Sequence, residues 1–512
     1  MPEHIYEKGD LIQRFDGILN KTFGEIDNIE MFGHVQEFQL QKGVAGAIIE
    51  QCVLCYSPDT KQEPDLVVVE PNGKRIKTEL KTTGMRLRGT ATRRFVAKEP
   101  MSITAVGIYD LADQVFDKSH FWEKLEHMLI VYYLYDSARA VPPYEYRLFP
   151  VKGYEFHEFS QEDKKILASD WQYVHSLVAS IVSNHPGPRN ANWRIAVKDE
   201  YIARHSLLRR NLSFIDLAPK FPPRFRLKKP TVDVIISNHF GYALEQLPGR
   251  YADINSVDKK CHELVHKYSG KTIREIALLL GLPIDTREKL KSISEKIVIA
   301  MFGGTESKIN KIKLFAQFGL IAKTVTVTST GKRTEDMKLL KADFEEMLQS
   351  EIYEDGERRN FEFEDSELYN FFADHELLCI LFKEPTSKAG ERASLFDNKF
   401  IGFKRIVFSD EFIDNDVRRL WNDTREKIKG GTLVDVVQRT KSGEAKRNKN
   451  GEISSAPNFL KSDENTVFFR GSGIDSSRVH KTECVNGVHM LPQYIWIKGI
   501  SIIDQLNDTP EV

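Results

Sequence analysis

The segment KTFGEI at Lys21–Ile26 returns as KTIREI at Lys271–Ile276, 250 positions later, each after an apolar-periodic stretch. A second pair keeps almost the same spacing: FSQEDKKILASDWQYV from Phe159 resembles FSDEFIDNDVRRLWNDT from Phe408, 249 positions on. Between these lie WEKLEHMLIVYYLYD and FFADHELLCILFKE, each reading as a helix end running into a hydrophobic strand. PPRFRLKK from Pro222 and PQYIWIK from Pro492 close the two series with a shared aromatic, apolar, Lys pattern. Four matches in one order predict a duplicated unit. Mixed strands and helices in each half make that unit α/β or α+β, a mixed central sheet flanked by helices. The boundary is expected in the polar connection between Leu244 and Lys260, giving domains 1–245 and 261–512 joined by a linker at 246–260.

At 512 residues the chain exceeds what one core usually organises, so two units also suit its length. Five cysteines are too few and too odd a number for a disulfide framework, and Cys52–Cys55 forms a CxxC without a second pair, which argues against structural zinc. No apolar run has membrane-spanning length and no signal segment opens the chain, so a cytoplasmic protein without a membrane partner is expected. SGKT at Ser269–Thr272 lacks the first glycine of a phosphate loop, where Val265 stands, so ATP is not expected.

Net charge is −1, yet its distribution is uneven. From Pro71 to Lys98 nine Lys or Arg face one acid, Glu79, and from Tyr201 to Pro230 eight face Asp216. The acids gather in FEEMLQSEIYEDGERRNFEFEDSE. Such basic stretches can neutralise phosphates in a protein of neutral balance, though each is also what a solvated face looks like.

The chemistry concentrates in EPDLVVVEPNGKRIKTELKTTG. Apolar LVVV, then PNG, then an alternating basic segment read as strand, turn and strand. With the turn at Asn72, paired positions sum to 144 and Asp65 falls opposite Glu79. Facing residues lie about 5 Å apart, close enough for two carboxylates to share a divalent ion. Glu79 and Lys81 point to one face of their strand and Leu80 to the other. Paired acids followed by a lysine suit phosphodiester hydrolysis: Asp65 and Glu79 hold Mg²⁺, and Lys81 orients water and stabilises the transition state. Glu50, ending the apolar helix KGVAGAIIEQ, adds a third acid.

KTFGEI, KGVAGAIIE, PD, ELKT, SHFWEKLEHML and PRFRLKK, in this order, resemble the MutH family, which includes GATC-cutting restriction endonucleases of the Sau type and the mismatch-repair nicking enzyme MutH. The resemblance implies two tandem restriction-endonuclease-like domains of the PD-(D/E)xK, MutH-like kind. It implies metal-binding acids at Glu50, Asp65 and Glu79, a catalytic lysine at Lys81 and a further active-site lysine at Lys124. It implies double-stranded DNA as substrate in a restriction-modification system, probed at two sites per enzyme, with DNA-induced homodimerisation as an expectation. RRLWNDT, NFLKSDENTVFFRGSG and YIWIKG resemble the C-terminal domain of the Sau-type enzymes. There Ile299 and Ile321 stand where Glu50 and Glu79 do, with Lys323 matching Lys81, which implies a pseudo-nuclease domain that binds DNA allosterically. Base reading falls to loops near the end of each half, where Arg204, His205, Arg209, Arg210, Arg226, Lys228, Arg470 and Arg478 are the DNA-contact candidates. Phosphate contact is an equal alternative for each. A strand-nicking repair enzyme and a DNA-binding module without turnover remain the rival readings.

Overall fold

The computed structural model describes the chain outside residues 1–3, 34–42, 57–62, 89–92, 138–140, 205–207, 209–210, 218–220, 243, 250, 252, 284–289, 307, 333, 355–356, 386–393, 441 and 509–512. Two compact units form. One comprises 1–257 with the short segments 310–320 and 351–360, and the other 258–309, 321–350 and 361–512.

In the first unit, β-branched LVVV forms β2 (Leu66–Val69), with Leu66 and Val68 buried on one face. β1 (Ile5–Glu7) runs parallel to it. β3 (Arg75–Arg88) returns antiparallel, pairing Leu66 with Thr78 and Val69 with Arg75, so the expected register of 144 is the observed one. The turn that sets it is a three-residue loop: Gly73 donates to the Glu70 carbonyl and sits at φ 79°, a conformation open to glycine at no steric cost. β4 (Arg94–Ala97) and β5 (Met101–Ala105) follow, β4 pairing with the far end of β3. β6 (Met128–Leu134) lies parallel to β3, aligning Glu79 with Met128, and β7 (Val151–His157) closes the sheet antiparallel to β6. The order β1-β2-β3-β6-β7 makes β3 central, and Leu129, Ile130 and Val131 of β6 are fully buried.

A second, three-stranded sheet joins β5, β9 (Arg224–Leu227) and β8 (Ile215–Leu217) in the order β5-β9-β8. The sheets are flanked by helices that include α1 (Lys8–Asp16), α2 (Phe23–Ile26), α3 (Val44–Ile48), α4 (His120–Leu125), α5 (Gln161–Asn184), α6 (Ala191–Arg204) and α7 (Lys229–His239).

The second unit has a three-stranded sheet of Leu320–Val327, Glu376–Lys383 and Lys399–Ile406, and another of Met337–Lys341, Gln493–Ile497 and Val467–Gly471. Its local devices repeat those of the first. Thr22 and Thr272 each build a capping box, with Glu25 and Glu275 respectively, and each pairs with a later strand, at Pro150 and at Lys399. Ser119 caps α4 and donates to the Phe116 carbonyl; Ser366 caps helix Glu367–Asp374 and donates to Phe363. Lys228 N donates to Phe214 as Lys498 N donates to Thr466, each between a closing strand and a final helix. Thr272 is thereby engaged as a helix cap, which is the role SGKT plays here.

All five cysteines are free thiols, Cys52 buried and Cys55 exposed. Among the described residues no helix is long and apolar enough to cross a membrane.

Candidate active site

Glu79 sits where β3 begins to pair with β6, its side chain 3% exposed. A buried carboxylate is costly unless compensated, and this one is compensated twice. Lys81 Nζ donates to Oε1 at 2.7 Å and Lys124 Nζ donates to Oε2 at 2.7 Å. Lys81 comes from the same strand face two residues on, whereas Lys124 comes from the last turn of α4, fixed by the Ser119 cap. Leu80 between them turns the other way into the main apolar core.

Asp65 lies one position beyond the last β2–β3 pair, opposite Glu79 in register. Its Oδ2 accepts the Leu80 N–H at 2.9 Å, which ties the acid to the strand carrying Glu79 and Lys81. Burial raises its pKa above the usual carboxylate value, and the facing Glu79 charge raises it further, against the pull of the Leu80 N–H and both lysines. Two negative charges pressed together in a partly dehydrated place are the electrostatic condition that a divalent cation relieves.

Glu50 lies just past α3, in a π-helical turn at Ile49–Val53, and is half-buried. Such turns re-aim side chains locally, which helical periodicity alone does not foretell. Tyr56 N donates to the Glu50 carbonyl at 3.0 Å as the chain leaves the turn. The Tyr56 hydroxyl is enclosed without a hydrogen-bond partner among the described residues, and its ring packs edge-on against His4 at 4.0 Å. Burial raises its pKa first, and the charges of Glu50, Asp65 and Glu79 add to that, so this phenol stands within electrostatic reach of all three acids.

The expected three-acid metal group is not drawn together: among the described residues no three His, Cys, Asp or Glu side chains converge to hold one ion. The reason is visible in the partners. Both Glu79 oxygens are taken by ammonium groups and one Asp65 oxygen by a backbone N–H. The donor chemistry nonetheless fits a hard divalent cation: carboxylate oxygens of Asp65 and Glu79 in facing positions, Glu50 nearby, and an unpartnered hydroxyl beside them.

Glu79, Lys81 and Lys124 line a cavity of about 420 Å³ together with Gln114, His120 and Arg224. Sequence reasoning missed those last three and Tyr56. For Arg224 a signal existed in the strand PRFRLKK itself. There two of the expected DNA-contact residues have partners within the protein. Arg226 is paired through Nε and Nη2 with its cross-strand neighbour Asp216, and Arg224, on the same strand face, is the arginine at the cavity, its Nε on Ser102 Oγ at 2.9 Å. Lys228 is 4% exposed, with its Nζ on the Leu212 carbonyl at 2.7 Å. Arg204 closes α6 with an ion pair to Glu200 at 2.7 Å. His205, Arg209 and Arg210 lie outside the described residues. Arg470, 43% exposed, pairs with Asp336 and lies over the Trp496 ring, while Arg478 opens a 3₁₀ turn at Arg478–His480.

In the second unit Lys323 donates to the Lys338 carbonyl at 2.7 Å. Ile321 precedes it on the strand, Ile299 is fully buried, and Phe371 stands five residues after the Ser366 cap, where Lys124 stands after Ser119.

Residues 54–170, which hold Asp65, Glu79, Lys81 and Lys124, match the model of the family described as DNA mismatch repair enzyme MutH, so the segment that carries the site is similar to that family. A more extended likeness is to the type II restriction enzyme Sau3AI of Staphylococcus aureus, 21% identical over 486 residues, covering 84% of this chain and 88% of that enzyme. Together they support a nuclease that acts on DNA.

Proposed function

We propose that the chain is a type II endonuclease that hydrolyses double-stranded DNA at GATC with Mg²⁺, through one active centre in its first unit. The observation that carries this is Glu79, buried against Asp65 and clamped by two lysines from separate elements at the wall of a cavity. A Mg²⁺ ion held by Asp65 and Glu79, with Glu50 beside them, supplies Lewis acidity and counter-charge to the scissile phosphate. Lys81 and Lys124 hold the Glu79 carboxylate in place and present ammonium charge to the cavity, where developing phosphoryl charge is stabilised. Arg224 and His120 line the same wall and suit phosphate binding. Segment 204–210 is proposed to read bases and Arg470 to contact DNA from the second unit.

The second unit, 261–512 in the sequence-based division, is proposed as a copy of the same fold, kept to bind a further DNA site as effector. Its repeated caps and strand order support the kinship, and Ile299, Ile321 and Phe371 in place of Glu50, Glu79 and Lys124 support the loss of chemistry. One centre per chain cuts two strands by DNA-induced pairing of two chains, which a cleavage rate strictly first-order in enzyme would contradict. A cytoplasmic location accords with a restriction role.

The matched family's description as a mismatch repair enzyme keeps a repair reading, cutting one strand only, as the second one. Digestion of methylated and unmethylated plasmid, followed by sequencing of the ends, separates the two. Linear product with ends at GATC supports restriction; open circles alone support nicking, and ends scattered over sequence contradict both.

A further inference from the structure

Between helix Arg418–Lys429 and strand Val467–Gly471 the second unit carries a short repeat. Arg439–Lys446 reads RTKSGEAK and Arg447–Ser454 reads RNKNGEIS, the pattern R-x-K-x-G-E twice, eight residues apart. Both copies fold into the same turn. Gly443 N donates to Thr440 O at 3.0 Å and Thr440 N to Glu444 O at 2.8 Å; Gly451 N donates to Asn448 O at 2.9 Å and Asn448 N to Glu452 O at 2.8 Å. Each glycine takes a positive φ, 85° and 86°, a left-handed conformation open to glycine at no steric cost. In each, the leading arginine folds over its own turn, Arg439 Nη1 on Gly443 O and Arg447 Nη1 on Gly451 O, both at 2.8 Å. Bridges Arg439↔Ala445 and Arg447↔Ile453 place the three short arms side by side, so one basic turn closes each end of a narrow ribbon.

The ribbon's charge is turned outward. Asp435 is held by Lys481 and Ser455, and Glu452 accepts the Arg478 N–H. The Lys446 and Lys449 side chains are exposed and make no hydrogen bond or ion pair among the described residues; Glu444, also exposed, offsets part of their charge. The loop braced on the ribbon through Ser476 and Asn448 displays Ile474 at 86% exposure, an apolar group beside cations. At the corresponding point of the first unit, between α5 and β8, stands helix α6 instead.

We infer that this double turn is a DNA-backbone contact of the second unit, its lysines seated on phosphates of the effector duplex. The inference rests on the reading of that unit as a DNA-binding copy. A preformed ribbon is a shape a DNA groove admits, and two identical turns with their arginines already fastened present their charges at little ordering cost.

The test uses the full chain in Ca²⁺ with a GATC duplex, comparing wild type with Lys446→Ala/Lys449→Ala in anisotropy titrations from 50 to 200 mM salt. Wild type is expected to bind two duplexes. For the second, the variant's salt slope falls by about 1.8, or ~0.9 per phosphate contact, so wild type loses about 12-fold more affinity across that range. The first duplex is unaffected. If wild type binds two duplexes and the variant's slopes overlay it, the ribbon is no contact although the effector reading stands. If wild type binds one duplex only, the effector reading falls and takes this inference with it.

Discussion

Replacing Lys124 by methionine keeps most of the side-chain volume and removes one of the two ammonium groups on Glu79. At 2.7 Å and an effective dielectric near 20, the pair attracts by roughly 6 kcal/mol before desolvation is subtracted. Both partners are largely buried, 12% and 3% exposed, so most of that gain is cancelled by lost hydration. A charge-assisted hydrogen bond of this kind leaves about 1.5–3 kcal/mol net. Because Lys81 still covers the other oxygen, the loss should stay near 2 kcal/mol and not reach the larger penalty of a buried charge left bare. Urea unfolding at pH 8 in EDTA reads it. The same substitution in a Glu79→Gln background should cost under about 0.5 kcal/mol, a coupling of at least about 1.5 kcal/mol across the cycle. Equal costs in both backgrounds would show that the carboxylate does not hold Lys124, and the clamp described for Glu79 would be wrong.

Three further outcomes are expected. Tyr56→Phe removes an enclosed, unpartnered hydroxyl; it should raise stability by about 1 kcal/mol in EDTA and raise the Ca²⁺ concentration needed for thermal stabilisation, and an unchanged Ca²⁺ midpoint would remove Tyr56 from the cation site. Asp170, raised to about 6 by burial against three backbone N–H bonds from Ser213, Phe214 and Ile215, takes up its proton at higher pH folded than unfolded. Its stabilising share is therefore full below about pH 4 and lost as pH rises to 6, so the stability of wild type minus Asp170→Asn should fall by up to roughly 3 kcal/mol over that interval and be flat from pH 7 to 8; parallel curves would contradict it. Arg224→Ala should raise KM for DNA several-fold and leave the fold intact, whereas Arg226→Ala should cost stability through Asp216, and the reverse pattern would return the cavity role to Arg226.

The hairpin was legible because its information is local. Pro71, Asn72 and Gly73 specify one turn, the turn fixes the register, and the register brings Asp65 opposite Glu79. The helix caps share that locality, since Thr22, Thr272 and Ser119 act within three residues of themselves, although KTFGEI and KTIREI stand out first as a repeat. What escaped is set by distant partners. The sequence does not reveal that Arg226 pairs with Asp216 across the strand or that Lys228 lies buried against the Leu212 carbonyl. The π turn that aims Glu50 and the enclosure of Tyr56 depend on tertiary packing, which helical and strand periods do not encode. The tandem R-x-K-x-G-E pattern stands plainly at 439–454, but a period of eight is far shorter than the 250-residue duplication that organises the chain.

One active centre, built on Glu79, is the claim on which the rest depends. The most direct measurement is plasmid cleavage by the full chain carrying Glu79→Ala, with Mg²⁺ for turnover and Ca²⁺ for binding. Cleavage should be lost by at least about 100-fold while duplex binding in Ca²⁺ persists within a few-fold. Cutting at the wild-type rate would place the chemistry elsewhere in the chain.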